Sequence, residues 1–170
     1  KRILDFGAQT LLIPYVQTVD EARAAVAAMR YAPRGVRGVS YLTRATGWGT
    51  VADYARRAED ELCLIVQAET IATLDRIGAI AAVDGVDAIF IGPADLAASM
   101  GYPGQVGHPE VVAAVERAIL AIRAAGKPAG ILTGDPGFAR RCIELGTTFT
   151  AVAIDLALML DGARARRALF

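Results

Sequence analysis

Two acids stand out by where they fall in the chain. Glu69 follows the apolar run Leu64-Ile65-Val66 as Gln67-Ala68-Glu69-Thr70, and Asp95 follows Ala88–Ile91 as Gly92-Pro93-Ala94-Asp95. Both runs are short, β-rich and uncharged, the pattern of a strand buried on both faces. After the second run, Gly permits close backbone approach, and Pro fixes φ and ends strand pairing. Each acid is thereby delivered just beyond the carboxyl end of a buried parallel strand, where α/β folds collect their ligands. Two neighbouring strands ending this way suggest one shared cation site. Hard oxygen ligands suit Mg²⁺ or Mn²⁺, which takes one or two carboxylates and fills its shell with water and substrate oxygens. The competing reading makes each acid a partner of the helix that follows, since the helix N-terminus favours negative charge. Residue type alone leaves both open.

Other candidates carry their own alternatives. Gln67 lies two residues before Glu69, so strand geometry puts both on one face; a core Gln bonded to backbone is the competing reading. His108 is the only histidine and so the obvious base near neutral pH. It precedes Pro109 at a helix start, which favours an exposed or capping role. Asp5 sits near a helix end, where the macrodipole does not favour an acid, and this suggests a specific partner; a surface acid is the default. Arg44 and Trp48 share a loop, with loop packing set against contact to a ligand or a neighbouring subunit. The two lysines, Lys1 and Lys127, fall at the chain start and in a loop. Neither is at a strand end, so nothing here points to Schiff-base chemistry.

The elements that must position these groups alternate. Thr10–Val16 reads as a strand and Asp20–Arg30 as an Ala-rich helix. Val36–Val39 is a short extended piece, and the loop Ser40–Thr50 follows. Val51–Asp60 reads as helix, Cys63–Gln67 as strand and Thr70–Ile80 as helix. After Ala88–Ile91 come a short turn and the loop Met100–His108. Pro109 opens a long helix in which Val111, Val115, Ile119 and Ile122 share a face. Ala129–Leu132 is a strand, Pro136–Leu145 a helix, Phe149–Ile154 a strand, and a last helix starts at Asp155. Such alternation predicts a parallel sheet of right-handed βαβ units. An open doubly wound sheet usually shows a Gly-rich phosphate loop, and none is present. The later part of a (β/α)8 barrel is the other architecture. The chain opens on Lys1–Gly7, which reads as the last turns of a helix, and the expectation is a sequence beginning inside a domain.

Composition narrows the field. The 170 residues carry 18 basic and 18 acidic side chains, a formal net charge of zero, so there is no electrostatic footprint for nucleic acid or an anionic membrane. No apolar run approaches the ~20 residues of a membrane span. Cys63 and Cys142 show no metal-like spacing, and a reduced, cytoplasmic setting is expected.

Three runs carry a resemblance: Leu4-Asp5-Phe6-Gly7-Ala8-Gln9-Thr10-Leu11-Leu12-Ile13-Pro14, Val66-Gln67-Ala68-Glu69-Thr70 and Val86-Asp87-Ala88-Ile89-Phe90-Ile91-Gly92-Pro93-Ala94-Asp95-Leu96. With Tyr31-Ala32-Pro33-Arg34-Gly35 and His108-Pro109-Glu110-Val111, they make the chain resemble the HpcH/HpaI aldolase family over nearly its whole length. The resemblance implies a (β/α)8 TIM barrel of the phosphoenolpyruvate/pyruvate type with its first strands absent. Residues 1–170 are then the C-terminal two-thirds of one aldolase domain.

It further implies divalent-metal-dependent cleavage of a 4-hydroxy-2-oxo acid, such as 4-hydroxy-2-oxoheptanedioate. The products are pyruvate and an aldehyde, such as succinic semialdehyde, in the breakdown of aromatic compounds. By resemblance Glu69 and Asp95 hold Mg²⁺ or Mn²⁺, with Co²⁺ as a further candidate, and the metal stabilises an enolate. Gln67, Ala94 and Asp95 contact the pyruvate portion, Ala94 and Asp95 partly through backbone N–H groups. Leu132 lines the aldehyde side, and Asp5 supports the basicity of a catalytic histidine. That histidine and a keto-binding arginine are expected upstream of residue 1, and His108 does not match it. A cytoplasmic homo-oligomer, a hexamer by resemblance, is expected. A related metal–enolate lyase acting on another substrate and a non-catalytic oxo-acid or metal binder are the alternatives.

Overall fold

The computed structural model describes all 170 residues. Five strands form its centre: β1 (Thr10–Ile13), β2 (Cys63–Ala68), β3 (Ala88–Ile91), β4 (Ala129–Leu132) and β5 (Thr147–Ala151). They lie side by side in chain order, and every neighbouring pair is parallel. Between and around them run helices α1 (Arg2–Asp5), α2 (Val19–Met29), α3 (Tyr54–Arg57), α4 (Ile71–Leu74), α5 (Ile77–Ala81), α6 (Pro93–Ser99), α7 (Pro109–Ala124), α8 (Pro136–Glu144) and α9 (Asp155–Arg167).

Helices α2, α5, α6, α7 and α8 bury residues on one face of this sheet, whereas α9 buries none. Alternate strand residues, Leu64, Val66 and Ala68 on β2, Ile89 and Ile91 on β3, and Ala129 and Ile131 on β4, enter the buried core with Val115, Ile119 and Ile122 of α7. The intervening residues share the other face. There Gln67, Phe90, Gly130 and Phe149 lie in register across four strands, with the rings of Phe90 and Phe149 centred 5.4 Å apart. Gly130 is required in this row, because a Cβ there would come within 2.5 Å of the Phe90 ring. An all-parallel sheet in chain order with helices on a single face is the wall of a (β/α)8 barrel, not a doubly wound sheet.

Local signals start the helices. Thr18 and Glu21 form a capping box on α2, the Thr18 hydroxyl accepting the Glu21 N–H at 3.1 Å and the Glu21 carboxylate accepting the Thr18 N–H at 3.0 Å. Pro occupies the first turn of α6, α7 and α8, where its missing N–H costs nothing.

Several bounds differ from the sequence reading. The strand expected at Phe149–Ile154 starts earlier and spans Thr147–Ala151, with Val152 and Ile154 exposed beyond it. The Thr70–Ile80 helix is two short ones, divided around Asp75 and Arg76. The expected helix over Val51–Asp60 shrinks to α3 and a following 3₁₀ turn, because Asp53 adopts a left-handed φ of 55° just ahead of α3. The piece at Val36–Val39 makes only one isolated bridge, Arg37 with Tyr31. The short turn expected after β3 is the helix α6. No helix is long and apolar enough to cross a membrane.

Candidate active site

Glu69 directly follows β2 and is 3 % exposed. Its neighbour Thr70 caps α4 through its hydroxyl, which accepts the Thr73 N–H at 3.2 Å. The two threonine hydroxyls lie 3.0 Å apart, and Thr73 donates to the Val16 carbonyl at 3.3 Å. This buried set fixes the turn that carries Glu69. On the adjoining strand end, the Gly92 N–H donates to the Ala68 carbonyl at 3.1 Å, so the start of α6 is tied beside Glu69. Asp95 falls in the first turn of α6 and makes no capping bond.

Capping therefore does not account for either acid. Burial pushes the Glu69 carboxyl above its ordinary range, and the charge of Asp95 pushes it further in the same direction. No basic side chain pairs with either carboxylate. A buried acid facing a second acid without a cation is a donor set that a hard divalent ion fits, since the ion would offset both the burial and the repulsion. The protein supplies these two carboxylates and has no cluster of three or more ligating side chains, so an ion held here would take the rest of its shell from water and substrate.

A cavity of about 720 Å³ opens at the carboxyl ends of β2, β3 and β4, and Gln67, Ala94, Asp95 and Leu132 all line it. Four of the residues singled out from the sequence thus meet at one place, with Glu69 seated behind Gly92 at its edge. In the first turn of α6, the Leu96 N–H is the first to find an acceptor, the Gly92 carbonyl at 3.0 Å. The Ala94 and Asp95 N–H groups ahead of it have none and stand at the cavity wall. Val106, Val112 and Phe138 add apolar surface.

The remaining candidates lie elsewhere. Asp5 ends α1 and does not line this cavity. Burial works to raise its pKa, but hydrogen bonds from Lys1 and Arg37 outweigh it and hold the carboxyl below its ordinary range. Arg37 is wholly buried, stacked 4.5 Å over the Tyr31 ring, with Nη2 3.4 Å from both Asp5 and the Tyr54 hydroxyl. His108 is the N-cap of α7: its Nδ1 accepts the Glu110 N–H at 3.3 Å, and its ring stacks 3.7 Å from that of Tyr102. Arg44 lines a separate cavity of about 530 Å³ near Gln9 and Leu62, which precede β1 and β2. Trp48 in the same loop is exposed.

Sequence reasoning missed Thr133, Asp135 and Phe138, which line the main cavity after β4. The Asp-Pro pair at 135–136 was a readable helix start, and Asp135 does cap α8 by accepting the Phe138 N–H at 2.5 Å. Nothing local to Arg37 marks it as buried.

Residues 1–162 match the HpcH/HpaI aldolase/citrate lyase family. The chain belongs to this family. Among its aldolase relatives, the pyruvate aldolase of Rhizobium etli is 64 % identical over 170 residues, covering all of this chain and 67 % of that protein. The 4-hydroxy-2-oxo-heptane-1,7-dioate aldolase of Salmonella paratyphi B is 53 % identical over 171 residues, covering all of this chain and 65 % of that protein. The crystal structure of an HpcH/HpaI aldolase/citrate lyase family protein from Burkholderia cenocepacia superposes with a TM-score of 0.93 at 39 % identity, over 98 % of this chain and 66 % of that one. The chain thus spans about two-thirds of the length of the aldolase-family proteins it matches.

Proposed function

We propose that this chain forms the cation-binding part of an aldolase that cleaves a 4-hydroxy-2-oxo acid to pyruvate and an aldehyde. The observation that carries the reading is the buried Glu69 carboxylate set against Asp95 at the mouth of the cavity, with no cation of the protein's own. Family membership and the named aldolase relatives support the same reaction class.

The chain's groups divide the work. Glu69 and Asp95 would hold a divalent ion, Mg²⁺ or Mn²⁺ by their chemistry, and such an ion supplies positive charge where the pyruvate enolate develops its negative charge. The N–H groups of Ala94 and Asp95, free of acceptors at the cavity wall, would receive the substrate carboxylate. They are preorganised by the helix and need no rearrangement when charge builds. Gln67 offers an amide on the same wall, next to Phe90 in register, and orients the 2-oxo acid. Leu132, one strand further on, faces the departing aldehyde. Asp5 is held ionised by Lys1 and Arg37, the state required of a residue that supports a histidine base. His108 is given no role in this reading, since it does not line the cavity and its Nδ1 accepts the Glu110 N–H at the start of α7.

The test measures pyruvate release from a 4-hydroxy-2-oxo acid by the intact protein, with and without chelator. Glu69→Gln and Asp95→Asn should each lower cleavage by roughly 100-fold or more and weaken Mn²⁺ binding in parallel. His108→Ala should turn over at nearly the parent rate. Full activity in chelator would overturn the reading, as would a folded but inactive His108→Ala protein.

A further inference from the structure

Past Leu132 the wall of the cavity changes from apolar to polar. The Thr133 N–H donates to the Ala151 carbonyl at 3.0 Å, which pins this backbone to β5. The Thr133 hydroxyl oxygen accepts the Asp135 N–H at 3.3 Å, while its own hydrogen has no acceptor in the protein. Asp135 spends Oδ1 on the Phe138 N–H at 2.5 Å, and Oδ2 has no partner. Between them Gly134 leaves open space, with nothing within 4 Å of where a Cβ would stand. One unused donor and one unused acceptor, both anchored to backbone, thus belong to two residues that line the cavity directly after Leu132.

We infer that Thr133 and Asp135 form the subsite for the far end of the aldehyde, and that it selects a neutral, hydroxylated aldehyde over one ending in a carboxylate. The inference rests on the aldolase reading and deepens it. A hydroxyl meets both partners, accepting from Thr133 and donating to Asp135. An alkyl end would strip water from Asp135 and return no bond, and sites built to bond a hydroxyl reject its alkyl isostere for that reason. A carboxylate end would meet Asp135 as a like charge. Succinic semialdehyde, the aldehyde implied by family resemblance, is then a poorer partner than a short hydroxyaldehyde.

The experiment uses pyruvate with glycolaldehyde, its near-isostere propanal, or succinic semialdehyde, in the intact protein loaded with Mn²⁺. The parent should prefer glycolaldehyde to propanal by about tenfold or more in kcat/KM. Thr133→Val and Asp135→Asn should each shrink that preference roughly three- to tenfold, and Thr133→Ser should restore it. Asn keeps the α8 cap, and Asp135→Asn should also raise kcat/KM for succinic semialdehyde. Exchange of pyruvate C3 protons into D₂O needs no aldehyde and should be equal in all four proteins. Exchange with an unchanged aldehyde preference in the variants would overturn the subsite alone. No exchange in the parent would overturn the aldolase reading, and this inference with it.

Discussion

The Glu69 side chain lies over Gly92: a Cβ at residue 92 would come within 2.8 Å of Glu69 Cγ and 3.1 Å of Cδ. Gly92 has an ordinary negative φ of −100°, so its lack of a side chain serves this contact and not the backbone angle. Gly92→Ala should therefore move the Glu69 carboxylate while leaving β3 and α6 in place. The expected result is a far-ultraviolet spectrum like the parent's with Mn²⁺ affinity lowered on the order of 10- to 100-fold, read by titration calorimetry. An unchanged affinity would show that Glu69 does not depend on this contact.

Arg37 is a second case of a group held by its surroundings. Its Nε and Nη1 are buried without partners, so it depends on Tyr31, Tyr54 and Asp5. Arg37→Ala should destabilise the protein by roughly 1–3 kcal/mol, because it removes the stacking on Tyr31 and the bonds to Asp5 and Tyr54 while Asp5 keeps Lys1. Arg37→Lys should recover only part of this, because an ammonium does not stack on the Tyr31 ring as a guanidinium does. Urea unfolding of the three proteins provides the comparison.

The Asp5 carboxyl has a folded pKa below its unfolded value. The sign follows: its contribution to stability is present above the unfolded pKa of ~3.9 and is lost as pH falls through the folded pKa. Lowering the pH from 6 into this range should cost the parent more stability than it costs Asp5→Asn. Equal losses in the two proteins would show that this pair does not contribute to acid sensitivity.

Cys142 lies fully within the core, and burial pushes its thiol up to about 11. The unfolded thiol ionises near ~8.5. Because the folded value is the higher one, this group's stabilisation is intact below pH ~8.5 and is lost as pH rises toward 11. Cys142→Ala should flatten the stability profile over that interval. In the parent at pH 8, Cys142 should resist iodoacetamide until denaturant is added.

The strands and the two acids could be read from the sequence because each signal was local: an apolar run, a break, a carboxylate. The shift of β5 could not, since Thr147 and Thr148 are polar: Thr147 joins the sheet only by tertiary pairing opposite Ala129, and Thr148 is the extra residue of a bulge. The helix α6 was hidden by reading Gly92-Pro93 only as a strand stop, although proline at a first helical position is also a start. His108 was legible as a cap from its place before Pro109. The subsite residues Thr133 and Asp135 were not, because only the fold shows that the end of β4 and the end of β3 border one cavity.

The one-sided packing of helices gives β2 two independent readouts along a single strand. Leu64, Val66 and Ala68 point into the helix-covered core, while Ile65 and Gln67 belong to the opposite face. A mutational scan of this strand would therefore oscillate with period two between loss of soluble protein and loss of turnover. Selection for yield and selection for substrate range would act on alternate letters of the same six-residue word.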